Sequence, residues 1–368
     1  MMRKSFLLIP IVWIIFNHTF AQSRQHKQLD SLFNTLFKQK EFNGNVLIAE
    51  KGKILFEESY GFANEKNGQK LNNHTIFELA SVSKQFTAMG IVLLEKQGKL
   101  DYDDTMSKYI PELGFDDNIS IRNLLNHTSG LPDYMEIFEE KWDKAKIAVN
   151  QDIVNVFAKY RPKLIFQPGA KFQYSDTGYT LLALIIERVS HQTFEKFLSE
   201  NIFQPLKMRN TFIYRSRFKP KKIENYALGY VTDSVGNKVL PDSFGKGFYT
   251  YYLDGIVGDG TVNSTTEDLL KWDRALYGNK LIDAKDKDLI FNSVKTNDGK
   301  ETNYGFGWFV VNSKKYGRIV YHTGGWPGYS TYIERHLDSD KTIVILQNHS
   351  EAKINSFLQK VRAILYEQ

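Results

Sequence analysis

Apolar and polar positions along this chain repeat with two periods, and the change of period divides it into regions. Residues 28–37 are amphipathic at the helical spacing. Residues 42–48 and 53–60 then read as two strands around a turn at Glu50 to Lys53. Strand-like alternation returns only near the other end, at 318–323, 329–336 and 341–347, joined by the glycine-rich 324–328 and by 338–340. A closing helix is predicted over 351–366.

Between these ends the signal is mostly helical. Val82, Phe86, Met89, Val92 and Leu93 recur at three- and four-residue steps, which predicts a helix starting at or beside Ser81 and running to Gly98. Further helices are predicted at 120–126, 151–160, 179–190, 193–201 and 266–277. The fold class expected is α+β: an antiparallel sheet built from both chain ends and flanked by helices, with a largely helical inserted subdomain. Residues 22–100 and 295–368 would form the sheet part and 101–294 the helical part. No repeat, low-complexity tract or linker divides the chain further, so a single domain overall is expected.

The first 21 residues change the picture of location. Arg3 and Lys4, an apolar run over 6–16 and small residues near Ala21 have the layout of an export signal. That run has eleven residues, short of the roughly 20 that span a bilayer. The expectation is a mature chain starting near Gln22, secreted or periplasmic in a bacterial cell envelope, with no membrane insertion after cleavage. With no cysteine, disulfides and a lipidated N-terminal cysteine are excluded. The net charge is +6, of which the leader carries two units, and the one basic run, 215–222, is expected to be a solvated loop rather than a nucleic-acid surface.

Chemistry enters at Ser81 and Lys84, one turn apart on a helix and therefore on one face. An amine beside a hydroxyl can take or relay its proton, which activates a serine without histidine. A capping serine with a solvated lysine would look the same. Ser-x-x-Lys recurs at Ser216, Ser243 and Ser350, but Ser216 stands in a basic loop, Ser243 among glycines, and Ser350 where a final helix would be capped. Two further stretches are polar where a site needs them: Tyr174 to Asp176, on a loop before an apolar helix, and His322, Thr323, Gly324 and Gly325, at the end of a strand.

These three stretches, in this order, resemble the motifs of the serine β-lactamase and penicillin-binding-protein superfamily, in its class C β-lactamase-like branch of esterases, DD-peptidases and D-aminopeptidases. Residues 124–132 and 258–268 also look familial, and the resemblance spans about 40–350. It implies a β-lactamase/transpeptidase-like fold in which Ser81 attacks a carbonyl to form an acyl-enzyme. Lys84 and Tyr174 would share the proton work, and the Ser81 and Gly325 amides would hold the oxyanion. Asp176, His322, Thr323, Gly324 and Gly325 would bind substrate or stand directly behind the groups that do.

Two positions depart from the family pattern. Asp176 replaces asparagine, which loses an amide donor and favours a protonated Lys84, making Tyr174 the better base. His322 replaces lysine and is largely neutral near pH 7 unless a partner raises its pKa. Both changes favour an esterase or amidase on small acyl or peptide substrates over a peptidoglycan DD-peptidase or weak β-lactamase. A non-catalytic binding or sensor module of the same fold is the remaining alternative. His127 is expected to be a turn residue. Other classes of hydrolase have little support, since neither a Gly-x-Ser-x-Gly elbow nor a His-Glu-x-x-His metal motif occurs, and no metal and no organic cofactor is expected.

Overall fold

The structure, a computed structural model, describes residues 9–116, 118–349 and 354–367. Six strands form one sheet: β1 (Gly44–Glu50), β2 (Lys53–Tyr60), β3 (Phe309–Ser313), β4 (Gly317–Trp326), β5 (Tyr329–His336) and β6 (Lys341–Gln347). Their order is β3-β4-β5-β6-β1-β2, antiparallel throughout, so the two chain ends meet where β1 pairs with β6, Leu47 opposite Val344. The fold expected from the alternation is the fold observed.

Alternation also sorts the two faces. Val46, Ile48, Ile343 and Ile345 point to one side, under helices α1 (Ile9–Lys38) and α5 (Ile354–Tyr366), and pack with Phe33, Phe357 and Val361. Their neighbours Leu47, Ala49, Val344 and Leu346 point to the other side and join the main core with α2 (Lys84–Lys96) and α4 (Thr266–Tyr277). A register slip of one residue would exchange these sets, and with about 1.5–3 kcal/mol per buried aliphatic side chain the register is strongly fixed.

The helix predicted at 28–37 is the last part of the longer α1, whose backbone continues up to Ile9, and residues 1–8 of the expected leader lie outside the described residues. Among the described residues no helix is long and apolar enough to cross a membrane. The expected cap Ser350 also lies outside them, and α5 is described from Ile354. In the inserted region α3 (Asp176–Ser190) lies against α2. Gly90 permits that approach: a Cβ there would sit 2.6 Å from Ile186 Cδ1.

The basic run at 215–222 is a correction. Lys219, Lys221 and Lys222 are exposed, but Arg215 is buried, pairs with Glu195 and donates to the Gly255 carbonyl at 3.0 Å. Arg217 is clasped by Asp242 at 2.7 Å and Asp254 at 3.2 Å. The partners are far away in sequence, so nothing in the local pattern marks these two arginines as structural.

Candidate active site

Ser81 does not open an α-helix. It lies in a 3₁₀ turn, Ala80–Ser83, and α2 begins three residues later at Lys84. Ala80 adopts φ +48°, a left-handed conformation that costs a non-glycine residue about 1 kcal/mol or more and persists only where the surroundings enforce it. They do so on both sides. The Leu79 amide donates to the Val262 carbonyl at 2.8 Å, its carbonyl accepts from Thr331 Oγ1 at 2.6 Å, and Ser83 Oγ accepts from the Val262 amide at 3.0 Å. The Ser81 hydroxyl caps nothing and accepts from Lys84 Nζ at 3.0 Å.

Lys84 is the electrostatic centre. Its side chain is fully buried, and Nζ pairs with Asp176 Oδ1 at 2.6 Å and donates to the Asp259 carbonyl at 2.8 Å. The ring of Tyr174 lies under it, 5.0 Å from Nζ. Burial by itself drives the ammonium towards neutrality, but Asp176, Tyr174 and Asp259 outweigh it and hold the lysine pKa well above the ordinary value. The Tyr174 phenol faces Ser81 and Lys84, and burial pushes it up to about 12 against the opposing pull of Lys84.

Asp176 is the first residue of α3, and its carboxylate serves Lys84 rather than capping the helix. Its amide donates to Asp133 Oδ2 at 2.8 Å, and Asp133 caps the helix Tyr134–Lys141 through the Met135 amide. Asp259 Oδ2 accepts from the Tyr134 hydroxyl at 2.9 Å. Burial, and then the Asp176 charge, push Asp133 up to about 6 and Asp259 up to about 7. Both were missed as site residues, although Asp259 lies within the familial stretch 258–268 and Asp133 directly follows the other, 124–132. His127 holds a turn at φ +56°, yet its Nδ1 reaches the Ser175 amide at 3.2 Å and its ring lies 4.3 Å from that of Tyr174. It is a brace for the Tyr174 loop as well as a turn.

On the third stretch, β3 starts at Phe309 opposite Tyr321, so residues 322–326 of β4 have no described strand on that edge, and the Ser81 turn packs against this part of β4 and against Thr331 of β5. Gly324 makes the contact possible: a Cβ would fall 2.2 Å from both the Leu79 carbonyl and Thr331 Oγ1. Gly325 lines the cleft, with open space where a side chain would be. Thr323 is exposed beside it. His322 is turned inward. Its Nδ1 donates to the Thr323 carbonyl at 2.7 Å, which leaves Nε2 to accept from the Tyr304 hydroxyl at 2.9 Å. Burial, and then Lys84, push its pKa down to about 3, so the ring is neutral. The three stretches therefore converge, with His322 behind Tyr174 rather than in the cleft wall.

The cleft above Ser81 encloses about 530 Å³. Glu78, Asp176, Asp254 and Asp259 contribute to its lining, and among the described lining residues there is no Lys, Arg or His. The described residues contain no group of His, Asp and Glu placed to hold a metal ion. A partly exposed serine on a buried lysine at the foot of a cleft, with a phenol alongside, can perform acyl transfer.

Comparison with known proteins agrees with this geometry. The beta-lactamase family model matches residues 29–360. Penicillin-binding protein 4* of Bacillus subtilis is 46% identical over 331 residues, covering 90% of this chain and 73% of that protein. The crystal structure of a penicillin-binding protein from Bacillus halodurans superimposes with a TM-score of 0.76 at 27% identity, covering 90% of this chain and 98% of the other. A D-amino acid amidase from Ochrobactrum anthropi shares the fold, with a TM-score of 0.74 at 23% identity and coverage of 94% and 98%. The chain belongs to the beta-lactamase family of serine hydrolases.

Proposed function

We propose that the protein is an exported hydrolase that cleaves esters or amides of small acyl groups through an acyl-enzyme on Ser81. The observation that carries this reading is the 3.0 Å contact between Ser81 Oγ and a Lys84 ammonium that is itself fixed by Asp176 at 2.6 Å. With Lys84 held as a cation, Tyr174 is the group that takes the serine proton. At pH 7 its phenolate lies about 7 kcal/mol above the phenol, from a pKa of about 12 at 1.36 kcal/mol per unit, and the lysine costs more. The amides of Ser81 and Gly325 would receive the oxyanion, where one preorganised donor contributes about 3–4 kcal/mol. The leader over residues 1–21 supports export to the cell envelope.

The cleft composition argues on substrate. A β-lactam or a peptide ending in D-alanine presents a carboxylate, and no described cation lines the cleft to receive it. The peptidoglycan-peptidase reading rests on the name of the Bacillus subtilis relative. Treatment with a fluorescent fluorophosphonate is the test. Stoichiometric labelling that disappears in Ser81→Ala supports the hydrolase, no adduct on the folded protein supports a binding module, and saturable labelling by a fluorescent penicillin favours the peptidase.

A further inference from the structure

We infer that Glu78 is a specificity-determining residue, and that the cleft takes acyl donors bearing an ammonium group, seated between the Glu78 carboxylate and an aromatic wall. The inference rests on the hydrolase reading and names the substrate class of the same site.

Four observations support it independently. Glu78 sits three residues before Ser81, on the short strand Phe77–Glu78 whose partner at Asn263 fixes it, so the distance from carboxylate to nucleophile is set by backbone pairing. Its side chain lines the cleft and, among the described residues, neither accepts a hydrogen bond nor joins an ion pair. Arg217 eases its charge only from a distance, being held by Asp242 and Asp254, so a carboxylate in a sheltered position is left without a direct ion-pair partner. Across the same cleft stand Phe248, Tyr249 and Trp326, with the Tyr249 and Trp326 rings edge to face at 5.3 Å. Aromatic faces attract organic cations, and most strongly where water is thinned.

Groups around Glu78 set the pH at which this works. Burial first, and then Asp254, raise its pKa to about 8, with Arg217 acting the other way and the Tyr226 and Tyr329 phenols close enough to feel its charge. An arriving ammonium supplies the missing counter-charge and stabilises the ionised form. Ammonium binding should therefore strengthen as pH rises from 6 to 8.5, and a neutral ligand should show no such slope.

The test compares n-butylammonium with butan-1-ol at constant ionic strength, by ligand-observed NMR on the whole protein and by protection of Ser81 from a fluorophosphonate. The expected result is that the ammonium binds at least tenfold more tightly than the alcohol at pH 8. Glu78→Gln should remove that preference and its pH slope, and Trp326→Leu should reduce it several-fold. Equal affinity for the two ligands, or a preference unchanged in Glu78→Gln, would overturn the inference while leaving the hydrolase standing. Absence of labelling without any competitor sinks the hydrolase reading instead, and the NMR titration still decides whether the ammonium subsite exists.

Discussion

Two groups of buried charge lie on opposite faces of the one sheet, and they are built to opposite ends. Under α5, Glu334 receives Arg362, His336 at 2.6 Å and the Tyr332 hydroxyl. Burial alone would raise its pKa, but Arg362 and His336 outweigh that and hold it near 2. Every charge there has found a partner. Around Lys84 the balance is reversed: Asp133, Asp176 and Asp259 crowd one ammonium, two of the three have raised pKa values, and the neighbouring backbone at Ala80 is strained. A satisfied network contributes rigidity. An unsatisfied one holds groups that a substrate or a proton can still rearrange, which is why perturbed carboxylates collect at working sites.

The comparison can be broken most sharply at Ser81. Ser81→Ala should lower ester turnover by at least 10³-fold and abolish fluorophosphonate labelling. Because the hydroxyl caps nothing, the urea midpoint should hardly move, and a large loss of stability would show that the turn depends on the hydroxyl after all. The opposite pattern is expected at Glu334→Gln. Breaking a buried ion pair costs about 3–5 kcal/mol, to be read by urea denaturation, while the Ser81 labelling rate stays as it was. The pH dependence has a definite sign. A depressed carboxylate pKa gives stability that is present above the unfolded value and is lost as pH falls through about 2, so the difference between Glu334→Gln and the parent should shrink below pH 4.

Catalysis should depend on pH in the same direction but over a much higher range. If the Tyr174 phenolate takes the serine proton, kcat/KM on an uncharged ester should rise about tenfold per pH unit from pH 7 to 10, with no plateau below the phenol's pKa of about 12. A bell centred near neutrality would move the role of base to another group. The smallest effect is expected at Asp259→Asn. The raised pKa means that folding takes up a proton at Asp259 between the carboxyl's ordinary value near 4 and about 7, so the non-titrating amide should gain at least about 1 kcal/mol on the parent as pH rises through that range and no more above it. Its Tyr134 hydrogen bond survives, since the amide oxygen can accept it.

How much could be read without coordinates follows from which interactions are local. The strands at both ends were legible because a two-residue period survives in any sequence whose strand has two distinct faces, and the sheet places those strands side by side. Ser81, Lys84, Tyr174 and Gly325 were legible because each stands in a short motif whose spacing is preserved by one turn of chain. The exact start of α2 was not, since the 3₁₀ turn before it is imposed by Val262 and Thr331, far along the chain. Arg215 and Arg217 were misread for the same reason: their partners are remote in sequence, and a basic run looks solvated until those partners are known.

What the sequence by itself determined is therefore the sheet, the order of the three polar stretches and the pairing of Ser81 with Lys84, all carried by periodicity or by contacts within one turn. Only the tertiary structure decided that Asp176 and the Asp259 carbonyl grip Lys84, that His322 turns inward to Tyr304, and that Glu78 lines the cleft with no ion-pair partner among the described residues. Electrostatics acts across space regardless of chain separation, so the charge balance of a site is settled only when distant segments have been brought to within a few ångströms of one another.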